Sequence, residues 1–114
     1  VKILLDVCTP VQVRHALEGH EVYTAVKMGW GEFENGKLLR SAESAGFDLF
    51  IICDKNLSYQ QNLAGRRLAI LELWTNHRPT LEKHFLLIRS TAEGMQAGEY
   101  RILPSPATPG DKAP

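Results

Sequence analysis

The sequence predicts an α/β fold of three layers, a mainly parallel five-stranded sheet with helices on both faces. Three observations carry this reading. The runs from Val1 to Leu5 and from Phe50 to Cys53 are short, largely apolar and without helical period, and each stops at an aspartate, Asp6 and Asp54. Runs of that kind read as strands buried on both faces. Strand-like runs alternate with helix-like stripes in the order β-α-β-α-β-α-β-α-β, and glycines fall where the helices should stop.

Taken in order, the first strand is followed at once by helix signals. Thr9 is a candidate N-cap, Pro10 suits the first helical position, and Gln12 completes a capping box. Val13, Ala16 and Leu17 share one face and Gly19 closes the helix. Glu21 to Val26 alternates as a second strand. The glycine-rich run from Met28 to Gly36 is a loop whose Trp30 and Phe33 either pin it over the sheet or stack on a nucleobase. Asn35 is a candidate N-cap for a helix carrying Leu38, Leu39, Ala42 and Ala45 inward and Lys37, Arg40 and Glu43 on a solvated face, closed by Gly46. Leu49 to Cys53 is the third strand. Ser58 and Gln61 open a short helix stopped by Gly65, and Leu68 to Leu73 is the fourth strand. Pro79 and Thr80 start one helix with Leu81, Phe85, Ile88 and Ala92 at helical spacing, and Tyr100 to Leu103 is the last strand. Right-handed crossovers would distribute these helices over both faces. Residues 1–103 thus form one domain, and the proline-rich stretch 104–114 reads as a disordered tail.

Composition excludes more than it assigns. The 114 residues suffice for one core, and Lys+Arg and Asp+Glu are 13 each, so bulk charge selects no partner. Locally, Lys55, Arg66 and Arg67 stand without an acid until Glu72. Cys8 and Cys53 form neither a zinc framework nor a disulfide scaffold and read as reduced structural thiols. No stretch approaches the length of a membrane span and no signal-peptide layout opens the chain, so a soluble cytoplasmic protein is expected. The turn after the first strand lacks the glycines of a dinucleotide site. His15, His20, His77 and His84 have no recognisable triad partner.

What remains is an acidic crevice. Ligands of open α/β sheets bind beyond the carboxyl ends of the strands. Asp6 and Asp54 are therefore expected within one ion's reach of each other, holding Mg²⁺ or Mn²⁺, unless each merely caps the helix that follows it. Glu34 and Asn35, at the start of the second helix, are candidates to join the catalytic group from the side. Asn56, Tyr59 and Gln60 are placed to contact substrate, and Lys55, Arg66 and Arg67 to hold phosphates.

Ile3-Leu4-Leu5-Asp6 followed by Pro10, then Asn35-Gly36-Lys37-Leu38-Leu39, then Asp54-Lys55-Asn56-Leu57 together resemble the PIN-domain-like superfamily, and most closely its short bacterial members of unassigned function. The resemblance covers about residues 1 to 103. It implies a metal-dependent ribonuclease, with Asp6 matching the first-strand metal ligand and Asp54 the later strand-end acid. It also implies RNA as substrate and, as in toxin–antitoxin pairs, a small antitoxin-like protein as partner, with homo-oligomers compatible. The chain departs from the pattern at Val7, Asn35 and Asn56, where acids are common in relatives. Glu34 and Glu43 are the candidates for a third ligand. A catalytically inactive PIN-like binding or regulatory module is the alternative. A phosphoacceptor receiver domain fits less well, because Asp6 has no acidic neighbour and no lysine follows the last strand until Lys112.

Overall fold

The computed structural model describes residues 1–53 and 66–106. Strands β1 (Lys2–Leu5), β2 (Glu21–Thr24), β3 (Leu49–Ile52), β4 (Ala69–Leu73) and β5 (Tyr100–Leu103) lie in the order β2-β1-β3-β4-β5, and every pairing is parallel. The expected three-layer α/β sheet is therefore present. Its middle is apolar on both sides because alternate residues of β1, β3 and β4 feed two cores. Ile3, Leu5, Leu49, Ile51, Ala69 and Leu71 face one, and Leu4, Phe50, Ile52 and Ile70 the other.

The first core is covered by a 3₁₀ helix (Val11–Leu17), by α2 (Arg78–Glu82) and by α3 (Phe85–Glu93), through Val13, Leu17, Leu81 and Ile88. The second is covered by α1 (Asn35–Ser44), through Leu38, Leu39 and Ala42. A side-chain network clamps α3 to the 3₁₀ helix. His20 Nε2 lies 2.9 Å from Glu93 Oε2, Arg89 reaches the same carboxylate at 3.1 Å, and Arg89 Nη1 donates to the carbonyl of Ala16 at 3.3 Å.

Several local expectations are corrected. The first helix is 3₁₀, its N-cap is Pro10, and no side chain caps it. Thr9 instead donates its hydroxyl to the carbonyl of Ile51 at 3.0 Å, a buried bond that ties the first turn to β3. Val11 and Val13, stiff at χ1, do little to favour an α-helix there. Asn35 is the first residue of α1 rather than its cap, and Glu34 holds the cap position without a side-chain cap bond. The single helix expected after β4 is two, interrupted at Lys83 and His84, yet Leu81 and Ile88 still reach one core. β2 stops at Thr24, where the backbone turns and Lys27 N donates to Thr24 Oγ1.

The crossovers are not uniform either. The β1-to-β2 and β4-to-β5 connections cross the same face of the sheet in opposite directions, so they have opposite hands. One of the two departs from the right-handed rule that governs almost all such units.

At the amino end of the sheet, Glu43 locks α1 to β4. Its Oε2 accepts the backbone N–H groups of Arg67 and Leu68, and its Oε1 lies 3.7 Å from Arg66 Nη1. The Arg67 N–H, chiefly, holds the carboxyl below its ordinary 4.5, against the opposing effect of burial, with Leu68 N–H and the two arginine charges adding to it. A carboxyl lowered on folding contributes stability that is present above its unfolded pKa and lost as pH falls through the folded one. Urea denaturation across acid pH is expected to show that loss in the parent below about pH 4.5 and a flatter profile in Glu43→Gln, which is about 1 kcal/mol less stable at neutrality. Parallel profiles would assign the acid sensitivity elsewhere. Beside this lock, Gly98 turns with φ of +78°, and a Cβ there would stand 2.8 Å from the carbonyl oxygen of Arg66. Only glycine fits that turn.

Candidate functional site

The order 2-1-3-4-5 reverses at β1 and β3, and open sheets of this kind take ligands beyond the strand ends at such a point. Asp6 stands there, one residue past β1, its N–H donated to the carbonyl of Ile51 at 3.0 Å and its residue surface only 9% exposed. Pairing of Leu5 with Ile51 and of Ile52 with Glu72 sets Asp6, Ile52 and Glu72 in one row across β1, β3 and β4. Strand alternation puts all three on the α1 side, with Asp6 and Glu72 two strand spacings, about 10 Å, apart at the backbone.

Glu72 is the residue that sequence reasoning missed. It is 3% exposed, and the Tyr100 hydroxyl donates to its Oε1 at 2.6 Å. The signal was available, since an acid inside the apolar run from Leu68 to Leu73 must find a partner if that strand is buried on both faces.

Cys53, just past β3, reports on both carboxylates. Burial pushes its thiol up to about 11, opposed by the Thr9 hydroxyl, whose Oγ1 lies 3.6 Å away and can donate to a thiolate, and reinforced by the charges of Asp6 and Glu72. Cys8 is exposed on the neighbouring turn. At pH 8 only about a thousandth of Cys53 is thiolate, the reactive form. Iodoacetamide at that pH is expected to label Cys8 quickly and Cys53 only on unfolding, read by peptide mass spectrometry. Equal labelling of the two in the folded protein would show that the end of β3 is open to solvent.

Between the ends of β1 and β2 lies a crevice of about 350 Å³ lined by Asp6, Val7, Thr9, Val11, Thr24 and Val26. Another concavity, about 470 Å³, opens at the other end of the sheet beside Leu49, Ala69 and Met95. We place the candidate site at the carboxyl end because the switch point and Asp6 coincide there.

Of the residues expected to form the site, Asp6 is where the sequence put it. Glu34 is exposed at the start of α1, at the same end of the sheet, and Asn35 follows it. Asp54, Lys55, Asn56, Tyr59 and Gln60 lie outside the described residues, as does the short helix expected from Ser58. Arg66 and Arg67 precede β4 and so stand at the amino end, away from Asp6. Glu43 is at that end too, which removes it as a third ligand beside Asp6. Trp30 and Phe33 stack on each other, with centroids 6.2 Å apart, and Trp30 packs edge-on against Phe47. They pin the loop to the second core. Among the described residues, no three His, Cys, Asp or Glu side chains converge in a group that could hold a metal ion. Among them, too, no helix is long and apolar enough to cross a membrane. No protein-family model, curated protein or solved structure matches the chain.

Proposed function

We propose that the chain is a metal-dependent ribonuclease of PIN-like type, acting as the toxin of a toxin–antitoxin pair with a small antitoxin-like protein as its partner. The observation that supports it best is Asp6, a nearly buried aspartate at the switch point of a parallel sheet, in one row with Glu72. The donor chemistry suits Mg²⁺ or Mn²⁺, which prefer carboxylate oxygens. Asp6 would hold the ion together with Asp54, which follows Cys53 in sequence. Bound there, such an ion polarises a phosphoryl oxygen and lowers the pKa of a water. The chain's own part is to fix the Asp6 backbone against Ile51 and to set that residue, 9% exposed, in the lining of the crevice.

The test is cleavage of mixed single-stranded RNA across a Mn²⁺ and Mg²⁺ titration. Cleavage is expected only with metal, and Asp6→Asn is expected to lower it by about a hundredfold or more, since the metal contributes several kcal/mol to the transition state. Equal cleavage by parent and variant identifies a contaminant and removes the reading.

The second reading is a PIN-like module that binds without catalysis. It is favoured by the apolar rim of the same crevice, where Val7, Val11 and Val26 are 51%, 42% and 65% exposed. No cleavage with any metal selects it. The strand order is also that of phosphoacceptor receivers, but Leu103 runs into Pro104 and not toward the lysine their chemistry needs.

A further inference from the structure

Helix α1 starts at the carboxyl end of the sheet and finishes at the amino end, so its outer face joins the crevice end of the molecule to the Glu43 lock. Lys37, Arg40 and Ser44 fall at i, i+3 and i+7 and share one exposed stripe, opposite the buried Leu38, Leu39 and Ala42. The helix rises about 10 Å from Lys37 to Ser44. At the upper end Lys37 Nζ stands 4.2 Å from the centroid of the Phe33 ring, which sits on the loop leaving β2. At the lower end the stripe opens into a notch of about 530 Å³ lined by Arg40, Glu43, Ser44 and Arg67.

Charge in the notch is unbalanced. Glu43 is already engaged by two backbone N–H groups and by the half-buried Arg66. Arg40 and Arg67 are exposed and add two positive charges beyond that pair. In a chain whose formal net charge is zero, this is a local concentration and not a reflection of composition.

We propose that this stripe is a phosphate track for single-stranded RNA, running from Lys37 down α1 to the Arg40–Arg67 notch. The inference rests on the ribonuclease reading and adds to it the path of the strand away from the crevice. The two guanidinium forks match phosphate oxygens in pairs, and the Ser44 hydroxyl supplies a further donor in the same notch. Such contacts set position and affinity without reading bases. The track also gives Arg67 a place on the substrate although the sheet holds it away from Asp6. Its structural role is carried by its backbone N–H, which a side-chain substitution leaves in place.

The experiment is fluorescence anisotropy of a short labelled single-stranded RNA in EDTA, so that cleavage does not intervene, over a salt series. The proteins are the parent, the double variant Arg40→Ala/Arg67→Ala, and Ser44→Glu, which puts a negative charge into the notch. Circular dichroism and thermal melting establish that each is folded. Losing two phosphate contacts is expected to weaken binding about tenfold and to flatten the plot of log affinity against log salt by about 1.4, or ~0.7 per contact. Ser44→Glu is expected to weaken binding in the same direction. A double variant with the parent's affinity and slope overturns the track and leaves the ribonuclease reading standing. A parent that binds no RNA at any salt in EDTA also overturns the track, and the ribonuclease reading is then decided by the metal titration alone.

Discussion

Phe50→Ala is expected to destabilise the protein by about 3–5 kcal/mol, a large share of the roughly 5–15 kcal/mol that holds a domain of this size. Phe50 is 0% exposed at the middle of β3, between β1 and β4, and packs among Leu4, Leu39, Ala42 and Ile70. Truncation removes the transfer free energy of the ring and leaves a cavity between two layers that the flanking strands, paired on both edges of β3, cannot collapse to fill. Ile102→Ala is the control, because Ile102 is 51% exposed on the edge strand β5 and its loss should cost little. Chemical denaturation of the three proteins gives the comparison. A loss below about 1 kcal/mol for Phe50→Ala would mean that the second core is loosely packed. Since β3 carries the carbonyl of Ile51 that fixes both Asp6 and Thr9, a soft centre would also loosen the candidate site.

The strands were legible because burial on both faces writes itself into the sequence. Leu49 to Ile52 has no polar residue, and all four of its residues are buried in the sheet. Helix ends were harder. Thr9 has the chemistry of a cap, but a buried carbonyl on β3 competes for its hydroxyl, and that carbonyl is 42 residues away. The break at Lys83 and His84 is invisible to periodicity because Leu81 and Ile88 stay in phase across it. Site geometry failed where sequence proximity was mistaken for spatial proximity. Arg66 and Arg67 come soon after Asp54, yet in a parallel sheet the chain must travel back to the amino end before the next strand starts. Glu72 was obscured because its partner, Tyr100, is 28 residues on and belongs to the neighbouring strand.

The Glu72–Tyr100 pair is expected to separate structure from chemistry at the same carboxylate. Glu72 is 3% exposed and Tyr100 donates to it at 2.6 Å, a length typical of a hydroxyl bonded to a carboxylate. Removing one partner of a buried polar pair leaves the other uncompensated, which costs more than the bond itself. Tyr100→Phe is therefore expected to cost about 1.5–3 kcal/mol and Glu72→Ala about 2–4 kcal/mol, the latter adding a cavity in β4. The double variant should cost less than the two added together, because each single variant already breaks the same bond. Glu72→Gln keeps the shape and an acceptor for the Tyr100 hydroxyl, so its melting temperature should fall least. If Glu72 only braces the sheet, Glu72→Gln keeps the parent's metal dependence of RNA cleavage. If its charge acts across the row on the Asp6 site, the same variant, still folded, requires more Mn²⁺ for half-maximal cleavage. Measured together, the denaturation cycle and the metal titration assign Glu72 to the brace or to the site, and additive losses in the cycle would show that the hydrogen bond carries neither.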